Sequence, residues 1–164
     1  MYDMSIPYLQ HHLKAFDAIL GKAEAHCEAK KIDPVAFLNF RLFPDMLPFT
    51  RQVTLVTDFA KGCGARLAGI DVPSFEDTEK TFPDLHARIA KTLDFLATLK
   101  PEQFRDAAQR TITIKAGGRE MSFPAPQYLM AFVMGNFHFH MTTAYNILRH
   151  NGVEIGKMDY MGRA

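Results

Sequence analysis

Apolar residues recur along this chain at alternating steps of three and four, interrupted once by a short stretch of strict alternation. Leu9, Leu13, Phe16, Leu20, Ala23 and Cys27 share one face and predict a first helix over residues 5–30. Ser5 is the candidate N-cap, with Pro7 in the first turn, where a missing N–H costs nothing. Ile32-Asp33-Pro34 ends that helix, and Val35 to Phe40 form a turn of their own. A second helix, from about Leu47 to Leu67, carries the seam Phe49, Gln52, Val56, Phe59, Ala60, Cys63 and Leu67. Gly69, Asp71 and Pro73 stop it. Ser74, ahead of Phe75-Glu76-Asp77, reads as the N-cap of a third helix that runs to about Leu99. Leu85, Ile89, Leu93 and Leu96 are its stripe, and Pro83 marks either a kink or a delayed start. Residues 111–123 alternate on both sides of Ala116-Gly117-Gly118-Arg119, the pattern of one β-hairpin with a tight turn. A fourth helix spans about Pro126 to His150 and ends at Asn151-Gly152, which tolerate the left-handed conformation.

These elements predict a mainly all-α domain over residues 1–164, a four-helix bundle with one small β-hairpin before its last long helix. A length of 164 residues suits one core. A formal net charge of +1 gives no electrostatic reason to bind nucleic acid or an anionic membrane. No segment reaches the roughly 20 apolar residues that span a bilayer, and Met1 to Pro7 lack the basic flank and apolar run of a signal peptide. Cys27 and Cys63 both sit within apolar helical patterns and read as reduced core thiols, which points to the cytoplasm.

Polar residues on the apolar seams are the candidates for chemistry. On the fourth helix Leu129, Val133, Asn136, His140, Thr143 and Ile147 form one stripe, so an amide and an imidazole face inward one turn apart. His138 falls nearly opposite His140, so the two are not a chelating pair. Gln52 lies between Phe49 and Val56 on the second helix, and His12 borders the seam of the first. Buried polar groups need partners, so Gln52, Asn136 and His140 are expected to meet one another or shared waters at the bundle centre. His12 and Tyr145 are outer candidates for the same ligand-binding cavity. Three uses fit such a cluster: a network that fixes helix register, a small-molecule pocket, or a divalent metal site. Two amides and one imidazole make a thin donor set for zinc or nickel, which favour imidazole, thiolate or carboxylate. No nucleophile elbow, phosphate-binding glycine loop, Cys-x-x-Cys or His-Glu-x-x-His is present. Asp45, Asp58, Arg66, Asp77 and Glu79 read as a solvated or salt-bridged face.

Several strings also carry a resemblance. They are Arg41-Leu42-x-Pro44-Asp45-Met46, Gln52-Val53, Asp58-x-Ala60-Lys61, Arg66-Leu67-Ala68-Gly69 and Phe75-x-Asp77-x-Glu79-x-Thr81-Phe82. Asn136-Phe137-x-Phe139-His140-x-x-Thr143-Ala144-Tyr145-x-Ile147-Leu148-Arg149-His150-Asn151-Gly152-Val153 follows, and then Gly156-Lys157-x-Asp159. Together they resemble a bacterial family catalogued as a domain of unknown function, itself similar to a branch of the DinB/YfiT-like superfamily. Taken alone, the helices would be read as up-down-up-down; the resemblance implies an up-down-down-up four-helix bundle, often a homodimer. It also implies a metal site of three histidines, one on the second helix and a His-x-x-x-His pair on the fourth, used by some members for thiol transfer or hydrolysis. On this chain His140 takes the place of the second His of the pair, Asn136 stands where the first would be, and Gln52 takes the remaining place. One ligand of three survives. The expectation is a bundle with a degenerate metal site that is non-catalytic or ligand-binding. The alternative is a small-molecule transferase or metal-dependent hydrolase, with His140 as general base or sole strong metal ligand.

Overall fold

The computed structural model describes residues 1–163. Helix α1 spans Tyr2–Lys30 with Met1 as its N-cap, four residues earlier than the cap reading of Ser5 would place it. Ser5 is buried inside the helix and its hydroxyl donates to the carbonyl of Met1 (2.8 Å). A serine that can satisfy itself on its own helix need not end it. Pro7 is likewise inside the helix rather than at its first turn. Lys31 closes α1 in the left-handed conformation (φ 55°), and the next amide, of Ile32, donates back to Cys27. Asp33 then caps the short helix α2, Pro34–Leu38, by accepting from the amide of Val35.

Helix α3, Phe49–Ala68, ends at Gly69 with φ 74°. Helix α4 begins only at Phe82 and runs to Thr98, so Ser74 caps nothing and Pro83 marks a delayed start. The reason is local. Thr81 and Asp84 form a reciprocal capping box with Pro83 in the first turn, where it lacks no bond. A start after Ser74 would have buried that proline inside the helix. Strands β1 (Thr111–Ala116) and β2 (Arg119–Pro124) pair antiparallel, turned by Gly117 and Gly118 at φ 58° and 74°. Ile112 and Ile114 are the buried face of the hairpin. The last long helix is composite: α5 (Ala125–Gln127), a π-helical stretch (Tyr128–Val133) and α6 (Met134–His150). A final short helix, α7 (Lys157–Tyr160), has no counterpart in the periodicity.

Side-chain pairs fix the directions. Phe49 meets Phe82 and Thr57 meets Arg88, so α3 and α4 run parallel. Gln52 meets His140 and Arg66 meets Tyr128, so α6 runs against α3. Asp17 meets His86 while Tyr2 packs on Phe104, just beyond α4, so α1 opposes α4. Tyr8 meets His138, and His26 shares a cleft with Gly152, so α1 and α6 run together. The bundle is up-down-down-up. Parallel neighbours cannot be joined by a tight turn, which is why a long extended crossover separates α3 from α4. Gly64 lets α3 approach the Leu96–Leu99 end of α4 closely. The stripes named above line the core: Leu9, Phe16, Phe49, Cys63, Leu85 and Ile147 are each fully buried. Every such Leu, Ile or Phe contributes roughly 1.5–3 kcal/mol. Among the described residues, no helix is long and apolar enough to cross a membrane.

Candidate functional site

The second-helix amide and the last-helix imidazole do meet. Gln52 is almost completely buried, and its Nε2 donates to the carbonyl of Leu47 (3.0 Å), just ahead of α3. That bond turns Oε1 towards α6, where the Nδ1–H of His140 donates to it (2.8 Å). The imidazole lies parallel to the ring of Phe59 (centroids 5.6 Å, interplanar 15°) and edge-on to Phe139. Burial, helped by the nearby positive charge of Arg51, lowers the pKa of His140 below its ordinary value, so the neutral ring is favoured. With Nδ1 protonated, Nε2 carries the lone pair. It makes no hydrogen bond to a described residue, and no buried side-chain nitrogen or oxygen among them lacks a partner, so Nε2 reaches solvent.

Asn136 does not join the pair. It is half-buried, and its Nδ2 donates to the carbonyl of Phe132 one turn back (2.7 Å). The expected three-way meeting therefore reduces to two residues. The physical reason is reach: a short amide satisfies itself on its own helix.

This geometry also tests the donor set for a metal. The Nδ1–H of His140 occupies the Oε1 of Gln52, the oxygen through which that amide would ligate, and each amide donates an N–H to a backbone carbonyl. Among the described residues no three His, Cys, Asp or Glu side chains gather to hold an ion. Gln52, Asn136 and His140 do not fit a zinc or nickel centre.

The outer candidates belong to a different cluster. His12 is buried, donates Nδ1–H to the carbonyl of Tyr8 (3.1 Å) and stacks on that tyrosine's ring (4.3 Å). Beside it, Tyr8 and His138 are hydrogen-bonded (2.7 Å), His138 and Tyr160 are bonded (2.9 Å), and Tyr160 meets Thr142 (3.0 Å). Burial and then the charge of His12 lower the pKa of His138. Tyr145 packs edge-on against Tyr160 (5.8 Å) and lines a small cleft of about 220 Å³ with Lys157, not the surroundings of His140. His138 does point away from His140, as the helical projection indicates. That side is covered by α1 and α7 rather than open.

The larger clefts also lie away from the Gln52–His140 pair. The cleft beside Arg88 and Lys91 measures about 470 Å³, one along Lys22 and His26 about 430 Å³, and one along His11 and Asp159 about 450 Å³. None of these three is lined by Gln52, Asn136 or His140.

The comparisons agree with the architecture. The sequence model of a family described as a domain of unknown function (DUF1993) matches residues 1–161. The crystal structure of a DinB family member protein from Shewanella denitrificans is similar to this chain with a TM-score of 0.88 and 39% identity. That likeness covers 98% of this chain and 90% of the other. No curated protein matches.

Proposed function

We propose that this chain, which belongs to the DUF1993 family of domains of unknown function, is a DinB-like bundle that works without a bound metal and without catalysis. In this reading the Gln52–His140 pair sets the register of α3 against α6. The exposed edge of that pair offers His140 Nε2 to a small ligand. One observation carries the reading: the Nδ1–H of His140 is committed to Gln52, whose own N–H is committed to Leu47. A closed pair of this kind ties two helices together whether or not an ion is present. The test is elemental analysis of purified, tag-free protein, then titration with zinc, nickel and manganese, with and without His140→Ala. Sub-stoichiometric metal at every stage supports the reading; one equivalent bound and lost with His140 refutes it.

A second reading has a specific observation behind it. A histidine kept neutral, oriented through Nδ1 and open at Nε2 has the arrangement of a general base. Turnover of thiol-transfer or hydrolysis substrates that disappears in His140→Ala, with the fold intact, would favour the transferase or hydrolase alternative.

The chain is further proposed to work as a homodimer in the cytoplasm. Leu47 and Phe139 flank the Gln52–His140 pair and are both exposed (43% and 57%), an apolar edge that a second subunit would cover. The buried free thiols Cys27 and Cys63 suit a reducing compartment.

A further inference from the structure

The crossover between α3 and α4 is fastened in an unusual way. None of residues 71–81 is buried, and among the described residues 71–79 make no backbone–backbone hydrogen bond. What holds the segment is charge. Arg88, on α4, has a side chain only 2% exposed. Its guanidinium donates to the carbonyl of Glu76 (2.9 Å) and the carboxylate of Glu79 (2.8 Å), and pairs with Asp77 (3.2 Å). The same group is anchored to α3 through Thr57 (2.8 Å) and Asp58 (2.9 Å). Phe75, half-buried, lies under two ammonium groups, Lys61 at 4.0 Å and Lys91 at 4.2 Å. Lys61 is itself buried and paired with Asp58.

The floor beneath the segment is therefore polar: Thr57 and Lys61 from α3, Arg88 from α4. Lifting the segment would uncover little apolar surface, and water would hydrate the ions that lose partners. Removing an element that rests on the apolar core has no such compensation. The two ends are already suited to act as hinges. Gly69 turns at φ 74°, and the Thr81–Asp84 capping box ends the segment independently of Arg88. We propose that residues 71–79 form a releasable strap, clasped by Arg88, which opens as a unit while the four helices stay folded and exposes a cationic groove of Lys61 and Arg88. Once the strap is open its separated charges are hydrated and screened, so ionic strength favours the open form.

The test follows the acylation of Lys61 by mass spectrometry, with exposed Lys14 as the internal reference and the thiol of Cys63 as the reporter of global unfolding. Cys63 is fully buried and its pKa is pushed up to about 12. The paired substitution Asp77→Asn with Glu79→Gln removes the two strap carboxylates that pair with Arg88 and changes no residue of the helices. It should speed Lys61 labelling about tenfold or more while Cys63 stays unreactive, and Arg88→Met should do the same. In the parent protein, raising sodium chloride from ~0.05 to ~1 M should accelerate Lys61 in the same sense. Labelling that stays slow in both variants overturns the proposal. So does acceleration at Lys61 matched by equal acceleration at Cys63, because the strap would then open only with the whole fold.

Discussion

Replacing Gln52 with Leu, alone and together with His140→Leu, isolates the bond between α3 and α6. In Gln52→Leu the Nδ1–H of His140 loses its acceptor in a site where the histidine is 9% exposed. Leaving such a donor unmade costs about 1–3 kcal/mol. In His140→Leu the Oε1 of Gln52, on a residue 1% exposed, loses its donor at a similar cost. The stacking on Phe59 goes as well, worth about 0.5–1.5 kcal/mol. In the double variant neither member of the pair remains and two apolar side chains of similar volume face each other across the seam; the bond to the Leu47 carbonyl is lost equally in Gln52→Leu alone, so it cancels in the cycle. That exchange is close to neutral. The double variant should therefore be less destabilised than the sum of the two single ones, with a coupling energy of about 1–2 kcal/mol. At roughly 2–4 °C per kcal/mol for a domain of this size, Gln52→Leu should melt about 2–12 °C below the parent and His140→Leu somewhat further. Urea unfolding followed by circular dichroism gives all four corners of the cycle. Additive effects, agreeing within ~0.5 kcal/mol, would refute the bond as a stabilising pair.

Two further outcomes follow from the same structure. His12, His138 and His140 all have pKa values held below the ordinary 6.5, with burial the largest cause in each. The unfolded chain therefore takes up protons first. Stability from these groups is complete above about pH 6.5 and is lost as pH falls through the lower folded values. The urea midpoint should drop between pH 7.5 and 5.5 (about two units), and a flat profile would contradict the burial of the three rings. If the apolar edge at Leu47 and Phe139 is a subunit contact, Phe139→Lys should convert a dimer into a monomer in analytical ultracentrifugation without changing the circular dichroism; a parent protein already monomeric would remove that assignment.

The four long helices were legible because each buries a continuous stripe, and a stripe repeats at helical spacing whatever its partner. The Gly117-Gly118 turn was legible for a comparable reason, since both positions need positive φ. What escaped depended on partners distant in sequence or on choices between local bonds. Ser5 and Ser74 looked like caps by residue type, yet Ser5 bonds within its helix and Ser74 lies seven residues before the true cap, Thr81. Gln52 and His140 could be placed on facing seams, but Asn136, on the same stripe, took a carbonyl of its own helix instead. His138 was set aside because a projection shows direction and not what stands there. The covering helix α7 is only four residues long, too short to leave a period. Arg88 interrupts no stripe. Its burial arises from carboxylates on a crossover whose path no periodicity describes.

The most direct measurement is long-range ¹H–¹⁵N correlation on His140 at neutral pH, before and after adding excess zinc. A metal-free Gln52–His140 pair predicts one neutral tautomer, with the proton on Nδ1 and Nε2 unprotonated, unchanged by zinc. A proton on Nε2 with Nδ1 bare, or a zinc-induced shift of the ring nitrogens at one equivalent, would contradict it.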